Sequence, residues 1–294
     1  MWGPLVTAMV TPFDDDLKVD YDAAAAMANH LVETGSTAVL TCGTTGESPT
    51  LTHDEELQLI RVVKEAVGAR TKVLAGTGSN STETARWMTR EATALGVDGI
   101  MLVCPYYNKP TQEMLYHHFK TVAAETDRPV MLYNIESRTA RNIEPQTIAR
   151  LATDVENIVA VKEASGNLNQ FADIALRMPA GFTLYSGNDS DTPAILCCGG
   201  VGVVSVASHV VGKQIREMID SFINGALAAA AAQYLRLMPL LQGLFPADSV
   251  NPAPIKEACR LLGLKVGGLR PPLMPVSAAR SAALKQQMEQ LGLL

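Results

Sequence analysis

The chain has 294 residues, of which 47% are hydrophobic, and its formal net charge at pH 7 is −6. This length suggests one large domain, or one domain with an appendage. The acidic balance argues against nucleic acid as the main partner, and no apolar run approaches the ~18 residues of a membrane span. The first residues lack a basic region followed by an apolar core, so a secretory signal is not expected.

Cysteine and histidine usage predicts a cytoplasmic protein without a structural metal site. The cysteine count of five is odd, and no C-x-x-C spacing occurs. That usage is typical of reduced thiols rather than a disulfide framework. The histidines are scattered apart from the pair His117-His118, and adjacent helical positions point about 100° apart, which suits metal binding poorly. We expect no metal ion and no organic cofactor.

Short apolar runs alternate with helical patterns along most of the chain. Repeated units of strand then helix imply parallel strands. Eight such units predict a closed (β/α)8 TIM barrel, for which about 250 residues is typical. The predicted strands are Leu5–Val10, Ala38–Leu40, Lys72–Ala75, Gly99–Val103, Val130–Tyr133, Ile158–Lys162, Thr183–Ser186 and Val201–Val206.

The helical segments show recognisable start and stop signals. Thr52 with Glu55 forms a capping box before an amphipathic run. From about residue 226 the strand-like runs stop and helix formers dominate, although Pro239 should break or kink its helix. We therefore predict a catalytic barrel over residues 1–224 and a C-terminal helical region, of about three helices, over 225–294.

Lys162 ends the apolar run Ile158-Val159-Ala160-Val161. Such a run is typical of a strand buried on both faces of a parallel sheet, and burial disfavours the charged form of lysine. Burial can lower the pKa of a catalytic lysine to roughly 7–8, and a neutral amine forms Schiff bases with ketones. A surface lysine with a snorkelling stem is the commoner fate. Position alone therefore makes Lys162 a candidate catalytic residue, and the other residues of the chain must support or exclude this role.

Other polar residues follow the predicted strands, at the end of the barrel where active sites lie. Glycines flank Thr44 and Thr45, and two hydroxyls with exposed amides suit a carboxylate, although a plain turn with solvated threonines fits equally well. Tyr133 can shuttle protons, but on position alone a buried structural tyrosine is the commoner role. Tyr107 can likewise be a structural residue. Arg138 can be a surface cation or can recognise a second carboxylate.

Several motifs together resemble a known family. They are GTTGES at Gly43–Ser48, YYN at Tyr106–Asn108, YN followed by SRT within Tyr133–Thr139, and VKEASGN at Val161–Asn167. These look like the dihydrodipicolinate synthase branch of the pyruvate-dependent class I aldolase and N-acetylneuraminate lyase superfamily. The similarity spans essentially the whole chain. It implies a lyase that condenses pyruvate with L-aspartate 4-semialdehyde through a Schiff base, in lysine and diaminopimelate synthesis.

The resemblance also implies roles for individual residues. Lys162 matches the Schiff-base lysine and Tyr133 the acid/base residue. Thr44 and Tyr107 match the rest of a hydroxyl proton relay, with the tyrosine reaching in from a neighbouring subunit. A further set of residues is expected to bind the substrates. Thr45 and Val204 match pyruvate contacts, Arg138 matches the group that orients the carboxylate of the aldehyde, and Gly187 is a further substrate-binding candidate.

The chain departs from the family pattern near Arg138. Glu136 stands where proline is usual and Ala140 where glycine is usual. Alternation along an extended segment would place Glu136 and Arg138 on the same side, where the acid could pair with the guanidinium and compete for the second substrate. These departures leave the identity of the aldehyde more open than that of pyruvate.

The family resemblance further suggests a lysine effector site at a subunit interface. The matching positions are Pro49, His53, Glu56, Asn80 and Tyr106. Thr84 stands where an acid is often found, and Glu83, one position earlier on a helix, points about 100° away. We therefore predict weakened or absent inhibition by lysine.

Two other functions compete with the synthase. A sibling lyase would cleave a 2-keto-3-deoxy sugar acid or N-acetylneuraminate, but a polyol substrate gives no reason to keep Arg138. A catalytically silent metabolite-binding barrel would be expected to lose Lys162 or Tyr133, and both are present. The expected partners are small-molecule substrates and further copies of the chain, as a dimer or a dimer of dimers, with neither nucleic acid nor a membrane.

Overall fold

A computed structural model describes every residue from Met1 to Leu294. Its eight strands form a closed barrel in sequence order from β1 to β8, and the recorded strand pairs are parallel. The strands are β1 (Leu5–Ala8), β2 (Ala38–Thr41), β3 (Lys72–Gly76), β4 (Gly99–Val103), β5 (Val130–Asn134), β6 (Ile158–Glu163), β7 (Thr183–Ser186) and β8 (Gly202–Ser205). The predicted (β/α)8 barrel is confirmed, with each strand end within two residues of its predicted position.

Helices alternate with the strands and then continue alone to the C-terminus. They are α1 (Tyr21–Glu33), α2 (His53–Val67), α3 (Thr82–Ala94), α4 (Gln112–Ala123), α5 (Glu136–Thr139), α6 (Pro145–Asp154), α7 (Leu168–Arg177), α8 (Thr192–Cys197), α9 (Ser208–Ile223), α10 (Leu227–Gly243), α11 (Ala253–Leu261) and α12 (Ala278–Gln290). The predicted capping box starts α2, with both reciprocal hydrogen bonds of Thr52 and Glu55 formed. No helix combines the length and apolarity needed to cross a membrane.

Three helices, α10 to α12, follow Ile223, as the composition of the C-terminal region predicts. A break at Pro239 does not occur, because α10 continues through this proline to Gly243, while a kink there stays a prediction. A proline costs a helix one backbone hydrogen bond. Here Leu237, Leu240 and Leu241 are buried, and burying these side chains favours the continuous helix. The predicted division between residues 224 and 225 stays a prediction.

The chain forms two compact units. The terminal unit comprises Met1–Thr71 and Ser205–Leu294, and the central unit comprises Lys72–Val204. Within the terminal unit, α1 packs against α2 and α10 against α9. Its β1–β2 pair aligns Val6 with Ala38. Each unit therefore carries its own share of the strands and of the helices that cover them.

Strands of the central unit are buried on both faces, which explains their nearly continuous apolar sequences. In β5 all five residues are buried, and in β6 five of the six are buried. Polar residues enter these strands only near their carboxyl ends, at Tyr133 and Asn134 in β5 and at Lys162 and Glu163 in β6. The polar side chains of β5 and β6 thus gather at the carboxyl ends of these two strands.

Candidate active site

The strand register of the central unit aligns Lys162 with two tyrosines on the neighbouring strands. Lys162 lies opposite Tyr133 on β5 and opposite Tyr185 on β7. Side chains in register on parallel strands share a face of the sheet. The Nζ atom of Lys162 accordingly lies 4.0 Å from the centroid of the Tyr133 ring. The structure therefore brings the predicted nucleophile and the predicted acid/base residue into contact.

Lys162 is held as a weak base. Its residue surface is 5% exposed, and burial lowers the pKa of its amine from 10.5 to about 7. Asp189 opposes this shift through its charge, while the charge of Arg138 adds to it. An amine with this pKa is about half uncharged at neutral pH, so its lone pair is available to attack a carbonyl carbon.

The opposite face of β6 carries a buried carboxylate, Glu163. It accepts hydrogen bonds from Asn134 Nδ2 at 2.9 Å, Gln170 Nε2 at 3.2 Å and the Ser165 amide at 2.7 Å. Burial nevertheless raises its pKa. Asn134 and Gln170 also hydrogen-bond to Asn142, which closes a polar network around this carboxylate. These bonds tie the ends of β5 and β6 together directly behind Lys162, a role that the sequence motif did not reveal.

Gly187 follows β7 at a point where the backbones nearly touch. Its amide donates to Glu163 O at 2.7 Å, and an added Cβ would lie 2.5 Å from the Cβ of Ala164. Only glycine fits this approach. Val204, the predicted pyruvate contact of this unit, is fully buried in β8. Both residues lie near the carboxyl ends of their strands, where barrel enzymes place substrates.

The segment around Arg138 corrects one expectation. Residues Glu136–Thr139 form the short helix α5 rather than an extended stretch. Two positions along a helix turn by about 200°, so Glu136 and Arg138 point to different sides. The predicted placement of the acid beside the guanidinium is therefore wrong. Ala140 ends this helix in the left-handed conformation with φ of 55°, which explains why glycine suits this position.

Tyr107 projects from the central unit. Its side chain is 89% exposed, and its backbone has φ of 73°, which is unusual for a residue other than glycine. Asn108, the next residue, donates from its side chain to Asn80 O at 2.9 Å. Neither the exposure nor the unusual backbone conformation of Tyr107 stabilises the fold, so this residue remains a candidate for a functional role.

The Gly43–Glu47 loop of the terminal unit holds the two predicted threonines. Thr45 is buried, and its Oγ1 accepts a hydrogen bond from Asn251 Nδ2 at 2.9 Å, whereas Thr44 is half-buried. Glu47 forms a buried ion pair with Lys256, with 2.6 Å between Oε1 and Nζ. Sequence reasoning missed Asn251 and Lys256. Asn251 precedes α11 and Lys256 lies within it, more than 200 positions away from this loop.

Comparison with known proteins identifies the relatives of this chain. The family model that matches it describes the dihydrodipicolinate synthetase family and covers residues 1–291. The chain belongs to this family. The predicted resemblance is therefore confirmed over essentially the whole chain.

Individual members of the dihydrodipicolinate synthetase family are close in sequence and structure. A 4-hydroxy-tetrahydrodipicolinate synthase from Cyanothece sp. (strain PCC 7425) is 51% identical, covering 100% of this chain and 99% of the relative. The enzyme from Cyanidioschyzon merolae, solved with lysine bound, superposes with a TM-score of 0.97 at 47% identity over 100% and 99% of the two chains. The chloride-inhibited enzyme from Acinetobacter baumannii, complexed with pyruvate, has a TM-score of 0.96 at 32% identity over 100% of both.

Positions that match the effector site of the family fall in both units. In the terminal unit, Glu56 is buried and accepts hydrogen bonds from Ser48 Oγ at 2.7 Å and from His53 Nδ1 at 3.1 Å. Pro49 is exposed beside them. In the central unit, Tyr106 is 39% exposed. The binding of an effector by these residues stays a prediction.

Proposed function

We propose that Lys162 is the Schiff-base nucleophile with which this chain condenses pyruvate and L-aspartate 4-semialdehyde to 4-hydroxy-tetrahydrodipicolinate. The supporting observation is a buried amine with a pKa lowered to about 7 that lies against Tyr133. Because only the uncharged amine is a nucleophile, this environment makes it reactive at neutral pH. Family membership over residues 1–291 supports the same reaction.

The reaction balances without any further reactant. The Lys162 amine attacks the pyruvate ketone, and a protonated imine forms as water leaves. The imine draws electrons, so a methyl proton departs and an enamine results. The enamine carbon bonds to the aldehyde carbon of the second substrate. The amine of that substrate then attacks the imine carbon, and the ring closes as the Lys162 amine departs.

Each step requires a proton to move, and positioned side chains speed such transfers by roughly 10²–10⁴-fold. Tyr133 contacts Lys162, and this contact supports a role for its phenol in imine formation. The family resemblance assigns the remaining relay positions to Thr44 and Tyr107. It also assigns the pyruvate contacts to Thr45 and Val204, and we retain these roles, with Gly187 as a further substrate-binding residue, as part of the proposal.

Arg138 is proposed to recognise the carboxylate of the semialdehyde. Its guanidinium fork matches a carboxylate geometrically. The helical turn of α5 directs Glu136 elsewhere, so the acid does not compete with this role. The aldehyde of the family therefore suits this chain despite its departures at positions 136 and 140.

The proposed enzyme acts as a cytoplasmic homo-oligomer, either a dimer or a dimer of dimers. A proton-relay role for Tyr107 requires a neighbour, because this side chain is 89% exposed within its own chain. The effector response is proposed to be weak, because Thr84 replaces an acid among the matching positions. Strong inhibition of the purified enzyme by submillimolar lysine would contradict this last point.

Borohydride trapping tests the proposal. Incubation with pyruvate and borohydride should leave one stable adduct, on the peptide that contains Lys162. Lys256, the other buried lysine in the core, is the internal control and should remain unmodified. An unchanged protein mass would refute the Schiff base, and product identification with a panel of aldehydes then checks the second substrate.

A further inference from the structure

We infer that Asn251 is a positioning residue that turns the Thr45 hydroxyl toward the substrate carboxylate. This inference rests on the pyruvate-binding role proposed for Thr45. It concerns a residue outside the strand-end motifs, brought to the Gly43–Glu47 loop by the C-terminal region.

The hydrogen bond fixes the direction of the Thr45 hydroxyl. Asn251 Nδ2 lies 2.9 Å from Thr45 Oγ1, and both residues are buried. A side-chain amide nitrogen can only donate, so the threonine oxygen must accept. The single hydrogen of the hydroxyl then points away from Asn251. A carboxylate can only accept, so this arrangement makes Thr45 a dedicated donor to an anionic substrate.

The side chain of Asn251 destabilises the folded state in a way that a purely structural residue would not. Its Oδ1 is buried and has no hydrogen-bond partner. An orphaned buried acceptor is destabilising, and a structure that keeps one calls for an explanation. An apolar residue at this position would avoid the cost but would leave the Thr45 hydroxyl free to rotate. The donor half of the amide is thus the reason for keeping the side chain.

Other contacts hold the loop in place independently of Asn251. Lys256 pairs with Glu47 at 2.6 Å, and the Arg270 amide donates to Glu47 Oε2 at 3.0 Å. Thr11 Oγ1 donates to Gly46 O at 2.6 Å. Because these contacts remain in an Asn251 variant, its loss should change the hydroxyl direction more than the loop position.

Steady-state kinetics of Asn251→Ala and Asn251→Asp test this role. Loss of one hydrogen bond to a charged group predicts about a tenfold rise in the pyruvate KM. We expect kcat and the semialdehyde KM to change by less than about twofold, since no other step uses this bond. Asn224→Ala, at an exposed position, is the matched control. A pyruvate KM that stays at the wild-type value in Asn251→Ala overturns the inference.

The aspartate variant adds a readout that loss of packing would not produce. Its ionised carboxylate cannot donate to Thr45 and repels the substrate, whereas its protonated form can donate. The pyruvate KM of Asn251→Asp, relative to wild type, should therefore fall as the pH is lowered. A ratio independent of pH would contradict the assigned hydrogen bond.

A double-mutant cycle provides the final check. Thr45→Val removes the hydroxyl, and adding Asn251→Ala to that background should raise the pyruvate KM no further. Fully additive losses would overturn the inference. Failure of the wild-type enzyme to form any pyruvate adduct would instead refute the proposed function, so the two failures are distinguishable.

Discussion

Two buried lysines, one in each unit, show how the same side chain serves reactivity or stability. Lys162 of the central unit and Lys256 of the terminal unit are 5% and 3% exposed. Lys256 pairs with Glu47 at 2.6 Å and donates to Gly268 O at 2.7 Å. Both amines also lie over an aromatic ring, Lys162 over Tyr133 at 4.0 Å and Lys256 over Phe13 at 4.1 Å, so the ion pair with Glu47 is what distinguishes them.

The partners decide what burial does to each amine. Burial lowers both pKa values, and the adjacent Glu47 charge and hydrogen bond only partly offset the effect at Lys256. At Lys162 the opposing charge of Asp189 leaves the pKa at about 7. A buried amine paired with a carboxylate is favoured as a structural cation, whereas the lowered pKa of Lys162 suits the nucleophilic role proposed for it.

Removing Lys162 should abolish most of the catalytic activity. Lys162→Met is expected to lower kcat/KM by about 10⁴-fold or more, because the proposed covalent route disappears. The variant should also resist urea better than wild type, since a buried amine with a lowered pKa opposes folding. Steady-state assays and urea titrations measure both effects. Retention of a borohydride-stable pyruvate adduct would contradict the assignment.

Removing Lys256 should lower the stability of the folded protein. Lys256→Met leaves Glu47 buried without its cation, and this loss typically costs about 3–5 kcal/mol of the free energy of unfolding. Urea titration at a fixed protein concentration measures the loss. Adding Glu47→Gln to this variant removes the orphaned charge and should restore part of the stability. Equal stability of Lys256→Met and wild type would refute the structural role.

Acid should destabilise the terminal unit through His209. This buried ring accepts from the Val10 amide at 3.1 Å and donates to Val206 O at 2.8 Å. Burial lowers its pKa from 6.5 to about 4, so the folded state favours the neutral ring. The resulting stability is present above pH 6.5 and is lost as the pH falls toward 4, by about 3 kcal/mol. His209→Gln should show a correspondingly flatter dependence of unfolding free energy on pH.

The pH dependence of activity sharpens the description of Lys162. Its neutral form accumulates as the pH rises through about 7, so kcat/KM for pyruvate should increase up to tenfold per unit below this value and then level off. The charge of Arg138 lowers this pKa. Arg138→Gln should therefore move the midpoint toward higher pH. A midpoint unchanged in this variant would show that the guanidinium does not act on the amine.

The smallest expected effect concerns the backbone beside Arg138. Ala140 holds φ of 55°, a conformation that costs a residue with a Cβ roughly 1–2 kcal/mol. Ala140→Gly relieves this strain but adds freedom to the unfolded chain, which costs about 0.4–1 kcal/mol. The net gain should be about 0.5–1 kcal/mol in thermal or urea unfolding. A clear loss of stability would contradict the strain.

Much of the reactive region could be predicted because its signals are local. Apolar runs marked every strand, and a lysine at the end of one run implied burial and a lowered pKa. The helical turn at Glu136–Thr139 was missed, because four residues are too few to show a period. The continuous helix through Pro239 was missed because burial of its leucines outweighs a local propensity.

The sequence by itself determined the barrel, the place of Lys162 at a strand end and the family, since each depends on neighbouring residues and their periodicity. Tertiary structure alone decided which partners the buried polar groups received. Asn251 contacts Thr45 across 206 positions, and Lys256 neutralises Glu47 across a similar separation. Such pairs leave no local pattern, because their energy depends on burial and distance, which exist only once the chain has folded.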